Sequence, residues 1–318
     1  MLDKFDHYKG IALILIASLL WGTTGTVASF APDISPLAIG AFAMGVGGVL
    51  LVLNSLKELS KDWRRLWLSG RVFAFGGLSV ALYPLAFYSS MRLSGVAIGT
   101  VVSLASAPFF AALIERLISK KLISLKWMLS FAIGIIGIVL LTLGKIQEPS
   151  ANKMLADYTF IEQYAGIFLG LLAGLSYAIY SWSARNMIDK GIHAKSAMSG
   201  MFGLAAIFLL PSLAFTGNHI SSSISNASVA IYMAVVPMFV GYLMFGYGLK
   251  QVEASTATLL TLLEPIVATL LAIAILGETF VLMGWVGMGL ILICLLLQTL
   301  KVPTFSLSQL ILPNTAKR

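Results

Sequence analysis

Charge is what this 318-residue chain has least of. Asp, Glu, Lys and Arg together make up 11% of it, hydrophobic residues make up 58%, and the mean hydropathy is +0.94. Soluble domains carry about 25% charged residues, so the composition excludes a soluble globular fold. Cysteine occurs once, as Cys294, which excludes a disulfide framework and a thiolate metal site. Histidine occurs three times, at His7, His193 and His219, always outside the apolar runs, so a haem or a histidine-bound metal within a span is not expected. No paired aspartates and no Gly-rich phosphate loop with its lysine are present. Intramembrane acid–base catalysis and ATP-driven pumping therefore lack their residues, and the chain is not read as an enzyme. No filter-like carbonyl loop or charge ring of a channel is visible. No cofactor, no metal and no nucleic-acid partner is expected.

What the chain has in abundance is apolar runs of about 20 residues, long enough to cross a bilayer core of about 30 Å as helices. They do not alternate in polarity as barrel strands do. Ten spans are expected, over 11–31, 35–54, 71–91, 96–118, 124–144, 164–184, 196–216, 228–249, 254–276 and 280–300. The first is preceded by Lys4 and Lys9 and has a loosely signal-like "VASFA", but it continues through Trp21-Gly22 and is read as a retained span. With the N-terminus placed inside, 18 of the 21 Lys and Arg residues fall on the inner side. Only Arg92, Lys145 and Lys153 fall outside. Positive loops stay cytoplasmic, so this split accounts for the net charge of +8 and predicts two cytoplasmic termini in a plasma (inner) membrane protein.

The chain also repeats itself. "VAIGTVVSLASAPFFAALIERLISKK" (96–121) lies over "EASTATLLTLLEPIVATLLAIAILGE" (253–278) at an offset of 157, with Pro108 on Pro265 and Lys121 on Glu278. "FYSSMR" (87–92) matches "FGYGLK" (245–250), the preceding spans carry Pro84 and Pro237, and Trp21 pairs roughly with Tyr177. Each half holds an odd number of spans, so the halves must run in opposite directions. The expected organisation is a first five-helix repeat at 1–144, a linker at 145–163, a second repeat at 164–301 and a tail at 302–318. Inverted repeats with proline-broken spans at matching places point to a carrier site at the repeat interface. Pro108 and Pro265 free the carbonyls of Leu104 and Thr261, which need partners in protein or in a wet cavity.

Glu264 is the one acid placed well inside a span. An ionised group there costs about 2.5–3.5 kcal/mol, so its default reading is functional. Pairing with a substrate amine, carrying a coupling proton and bonding neighbouring helices all remain open for it. Ala257, Thr261, Glu264 and Ala268 share one helical stripe. Thr100, Ser103 and Ser106 form another, suited to lining a route or to packing. Trp21, Tyr83, Phe87, Tyr177, Tyr180 and Tyr242 sit within spans, where aromatic faces attract cations or simply pack. The candidate substrate-binding set is Trp21, Tyr83, Phe87, Ser103, Tyr177, Tyr242, Thr261 and Glu264. Pro84, Pro108, Pro237 and Pro265 are the candidate hinges, and helices one, three, four, six, eight and nine are expected to line the site. Gly166, Gly170 and Gly174 form a face for close helix approach.

"LLEPIVATLLAIAILGE" resembles the signature helix of the drug/metabolite transporter superfamily, specifically its EamA-type members, and "LLWGTTGTVAS" (19–29) is similar to that family's first helix. The resemblance spans both halves. It implies a ten-helix, five-plus-five inverted-repeat carrier that moves amino acids, related amines or other small metabolites, often outward, by alternating access. A carrier of quaternary-ammonium, drug-like or aromatic compounds is the alternative. The implied partners are a small-molecule substrate and the lipid bilayer, with proton coupling and oligomeric state left open. One departure stands out: the family commonly ends its fourth helix with Gly-Glu, and this chain has Lys120-Lys121.

Overall fold

The computed structural model describes residues 2–144 and 160–300. Most of the expected linker and the tail at 302–318 lie outside the described residues, as do Lys145, Lys153, Lys301, Lys317 and Arg318. Ten described helices are long and apolar enough to cross a membrane. They are α1 (Phe5–Ala28), α2 (Pro36–Asn54), α3 (Gly70–Ser94), α4 (Ile98–Leu117), α5 (Leu125–Leu143), α6 (Ile161–Asp189), α7 (Ala194–Thr216), α8 (Ile224–Gly248), α9 (Ala254–Leu276) and α10 (Leu282–Thr299). Leu, Ile and Phe side chains such as Phe75, Ile207 and Phe215 remain exposed on the outer faces, as a lipid solvent requires. Several starts carry a side-chain cap. Ser35 accepts from the Ala38 N–H at 3.2 Å with Pro36 behind it, and Ser124 and Ser223 accept from Trp127 and Asn226.

The connection between α2 and α3 departs from the expected loop. It forms a further helix, Leu56–Leu68, with polar and apolar faces. Its run of charges hides it from a search for apolar spans.

Equivalent helices of the two halves lie antiparallel. In α2 and α7, Gly45 meets Leu210 while Gly48 meets Phe202. The end of α4 meets the start of α9, where Glu115 Oε1 accepts from Ser255 N–H. Gly144, ending α5, accepts from Val281 N–H ahead of α10, while Lys126, starting α5, donates to the Leu300 carbonyl after α10. Helix neighbours also exchange: α3 and α4 pack on α6 as α8 and α9 pack on α1. Among the described residues the chain is an all-α bundle of ten long apolar helices whose two five-helix halves run in opposite directions.

The glycine face of α6 makes another set of close contacts. A Cβ on Gly166 would sit 2.6 Å from Ser94 N, one on Gly170 would sit 2.8 Å from Ser90 Oγ, and one on Gly174 would enter the Ser103–Ser106 turn of α4. The stripe therefore joins α6 to α3 and α4 within one chain.

The repeat persists in the turns that end α4 and α9. Lys121 N–H bonds the Glu115 carbonyl and Glu278 N–H bonds the Ala272 carbonyl, both six residues back. Each turn carries a left-handed residue directly before that N–H. Gly277 supplies it in α9 at φ 70°, and Lys120 supplies it in α4 at φ 55°. A non-glycine residue there costs about 1–2 kcal/mol, so the first half holds a strained turn where the second has a relaxed one.

Candidate functional site

Two spans are broken where their prolines stand, and α1 holds both breaks. In α9 the helix stops at Thr261 and Leu262 and resumes at Leu263, just ahead of Glu264 and Pro265. The Thr261 carbonyl accepts from Glu264 N–H at 2.9 Å and from Ser18 Oγ at 3.0 Å. In α8 the turns widen into a π-helix over Ala234–Gly241 around Pro237, and Trp21 Nε1 donates to the Pro237 carbonyl at 2.8 Å. Gly22 lets α1 touch the α9 break: a Cβ there would lie 2.5 Å from Val267 Cβ and 2.9 Å from the Glu264 carbonyl. The Ser18, Trp21 and Gly22 positions thus share one role, which is to satisfy and seat the irregular backbone of α8 and α9 where lipid offers no partners. Pro84 and Pro108 lie inside continuous helices, α3 and α4.

These breaks border a cavity between the halves. About 60 Å³ is open to the centres of water molecules, room for a few. Trp21, Tyr83, Phe87, Tyr177, Tyr242 and Glu264, six of the eight candidate binding residues, line it. Pro84 lines it as well. The rings form a connected wall. Tyr83 stacks on Phe87 at 5.7 Å, Tyr177 stacks on Tyr180 at 5.1 Å, and Trp21 lies 4.7 Å from Tyr242. Tyr180 and Tyr242 hydroxyls bond each other at 3.1 Å. The Glu264 carboxylate has no hydrogen bond and no ion pair among the described residues, and no Lys, Arg or His is among the cavity residues.

Two expectations change. Ser103 does not reach the cavity. Its hydroxyl donates one turn back to the Gly99 carbonyl at 2.7 Å, and its turn packs against Gly174. The α4 stripe is thus spent on the glycine face of α6, and α4 contributes no cavity residue. Thr261 lies behind the wall: it accepts from the Tyr177 hydroxyl at 3.1 Å and donates to the Thr258 carbonyl at 2.8 Å, so it fixes the ring rather than the space. The structure instead adds α2, through Gly40, Ala43 and Met44, together with Thr24, Tyr88, Tyr180 and Met238. Sequence reading passed over α2 because small residues in a greasy helix carry no chemical signal. Gly40 is small because Tyr88 lies against it, 2.5 Å from where a Cβ would stand.

The cavity reaches toward one end of the bundle, where α1 and α3 finish and α2 begins. At the opposite end charged side chains tie the two halves together around a second cavity. Lys121 pairs with Glu253 and with Asp189, and Arg185 pairs with Asp189 at 3.0 Å and Glu253 at 3.8 Å. Arg185 also donates to the Leu249 carbonyl at 2.7 Å, and Trp182 Nε1 donates to Ser119 Oγ at 2.9 Å. Glu115, 5% exposed, accepts from Ser255 N–H at 3.3 Å. Lys121, Ser119 and Glu115 belong to the first half and their partners to the second. The strained turn at Lys120 is what brings Lys121 into this cluster. Tyr180 on the cavity wall, Phe202 packed against it and Phe245 packed against Tyr177 are all fully buried.

Ten apolar helices among the described residues, in two opposed halves with a lined cavity between them, define a multi-pass membrane protein with a two-repeat fold. The chain belongs to the EamA-like transporter family, whose profile matches twice, at residues 8–143 and 164–300. It is 30% identical over 287 residues to the uncharacterized transporter YwfM of Bacillus subtilis (strain 168), covering 89% of this chain and 91% of that one. It is 26% identical over 304 residues to the uncharacterized inner membrane transporter YicL of Salmonella typhimurium, covering 92% and 95%. A solved crystal structure shares the fold with a TM-score of 0.74 at 15% identity, over 91% of this chain and 95% of that one. The protein is a membrane transporter.

Proposed function

We propose that this transporter is a secondary carrier for small organic amines, working by alternating access between its two halves. The observation that carries the reading is the unpartnered Glu264 carboxylate in a cavity walled by aromatic rings and free of basic residues. An ammonium group would supply the missing charge, and the rings would add about 0.5–2 kcal/mol per cation–π contact. A free amino acid fits less well, because its carboxylate would meet Glu264 with no cation nearby. Two like charges 4 Å apart cost about 4 kcal/mol at an effective dielectric of 20. Quaternary-ammonium and other aromatic cations are the second reading, favoured by the breadth of the ring wall, although the space for a few waters favours small ligands.

Ligand and proton compete for Glu264, which couples amine movement to a proton gradient. The Lys and Arg distribution supports an orientation with both termini and the charged cluster on the cytoplasmic side of the inner membrane and the cavity toward the exterior. In this state the inner mouth is shut and a bound amine exchanges with the outside, as the last step of export.

Counterflow in liposomes tests the reading, with a panel of amines, amino acids and quaternary ammonium compounds at two proton gradients. Saturable, trans-stimulated exchange of amines is expected, falling at least ~10-fold in Glu264→Gln. Unchanged rates in that variant would remove Glu264 from the mechanism, and exchange of amino acids alone would reverse the substrate class.

A further inference from the structure

The helix Leu56–Leu68 has a surface that neither the bundle nor water satisfies. At 100° per residue its side chains divide into three faces. Asp62 and Leu66 fall together and are buried against the protein, where Asp62 accepts from His193 N–H at 2.9 Å. Arg65 donates to the Gly191 carbonyl at 2.9 Å, so the helix of the first half is pinned to the α6–α7 connection of the second. Leu56, Trp63 and Trp67 form the next face and are 56%, 53% and 68% exposed. The two indoles meet edge to face at 5.8 Å and leave their outer surfaces bare. Lys57, Lys61 and Arg64 make the third face, all exposed, with Leu68 beside them at the end of the helix and Arg71 beyond it at the start of α3. Glu58 lies on the far side of that face, and Asp62 is already engaged.

Position adds to this pattern. The helix runs from the end of α2 to the start of α3, so it lies where the bundle leaves the hydrocarbon. An in-plane helix with indoles on one side and cations beside them matches the boundary between acyl chains and headgroups. A neutral headgroup layer would satisfy the indoles and leave three adjacent cations repelling one another. An anionic layer satisfies both faces. We propose that helix Leu56–Leu68 is an interfacial anchor that binds anionic lipid, with Lys57, Lys61 and Arg64 on the headgroup phosphates and Trp63 and Trp67 at the acyl boundary. Because the same helix is pinned across the halves through Asp62 and Arg65, bound lipid stabilises the assembled bundle.

The purified full-length protein in neutral detergent provides the test. Phosphatidylglycerol is expected to raise its melting temperature, whereas phosphatidylcholine and soluble glycerol phosphate leave it unchanged. The Lys57→Gln, Lys61→Gln, Arg64→Gln triple variant is expected to melt normally without lipid and to lose most of that rise. Lys57→Arg with Lys61→Arg should keep it. In bilayers, brominated phosphatidylglycerol should quench tryptophan fluorescence at ~5-fold lower mole fraction than its phosphatidylcholine analogue, and Trp63→Phe with Trp67→Phe should abolish that preference. An equal melting rise in the triple Gln variant, a rise with glycerol phosphate or phosphatidylcholine, or equal quenching by both brominated lipids would each overturn the assignment.

Discussion

Reversing the charge of Lys121 should open the closed end. Lys121 is the first-half cation that meets both Glu253 and Asp189 of the second half. Its side chain is 39% exposed and those of Glu253 and Asp189 are 41% and 44% exposed, so each pair counts as a surface ion pair. Such pairs contribute about 0.2–1 kcal/mol. Lys121→Glu removes two attractions and places a like charge against both acids, for a total of about 1–2 kcal/mol. In the proposed alternating-access cycle all of it is lost from the state in which this end is shut, so the balance between the two access states moves ~5–30-fold. The assay is labelling of Thr24→Cys in the cavity by an impermeant maleimide added outside, with the native Cys294 buried and shielded. The labelling rate should fall several-fold in Lys121→Glu. It should return in Lys121→Glu with Glu253→Lys, which restores one pair with reversed polarity. An unchanged rate in the single variant, or no recovery in the double, would refute the assignment of this cluster as the inner closure.

Other outcomes follow from the same contacts. Lys120→Gly should raise stability by about 1–2 kcal/mol by relieving the left-handed turn at φ 55°, read as a higher melting temperature. Gly22→Ala should cost about 1–3 kcal/mol because its Cβ would stand 2.5 Å from Val267 Cβ. Adding Val267→Ala should recover little, since the Glu264 carbonyl remains 2.9 Å away. Trp21→Phe keeps a ring but leaves the Pro237 carbonyl without its donor at 2.8 Å, at an expected cost of about 1–3 kcal/mol by thermal melt. Tyr242→Phe removes the 3.1 Å bond to the Tyr180 hydroxyl and should cost about 1 kcal/mol.

The ten spans and their repeat were legible before any coordinates because crossing a bilayer is a one-dimensional demand. About 20 apolar residues in a row are needed, and the need leaves its mark locally. Glu264 and the aromatic set were legible for a related reason: polar or amphipathic groups within such runs are costly and stand out. The helix Leu56–Leu68 was not, since a charged amphipathic segment looks like a loop when the search is for unbroken hydrophobicity.

Three-dimensional packing decided what each conspicuous residue does. Ser103 and Tyr83 are equally noticeable along the chain, yet one turns its hydroxyl onto its own helix beneath Gly174 while the other faces the cavity. Gly40 and Gly22 carry no chemistry, and they matter only because Tyr88 and Val267 arrive from distant helices. The hydrophobic run is a property of consecutive residues, so the sequence alone determined how many times the chain crosses. A cavity belongs to side chains from six helices at once, so only their mutual packing could decide which residues face it and which close its far end.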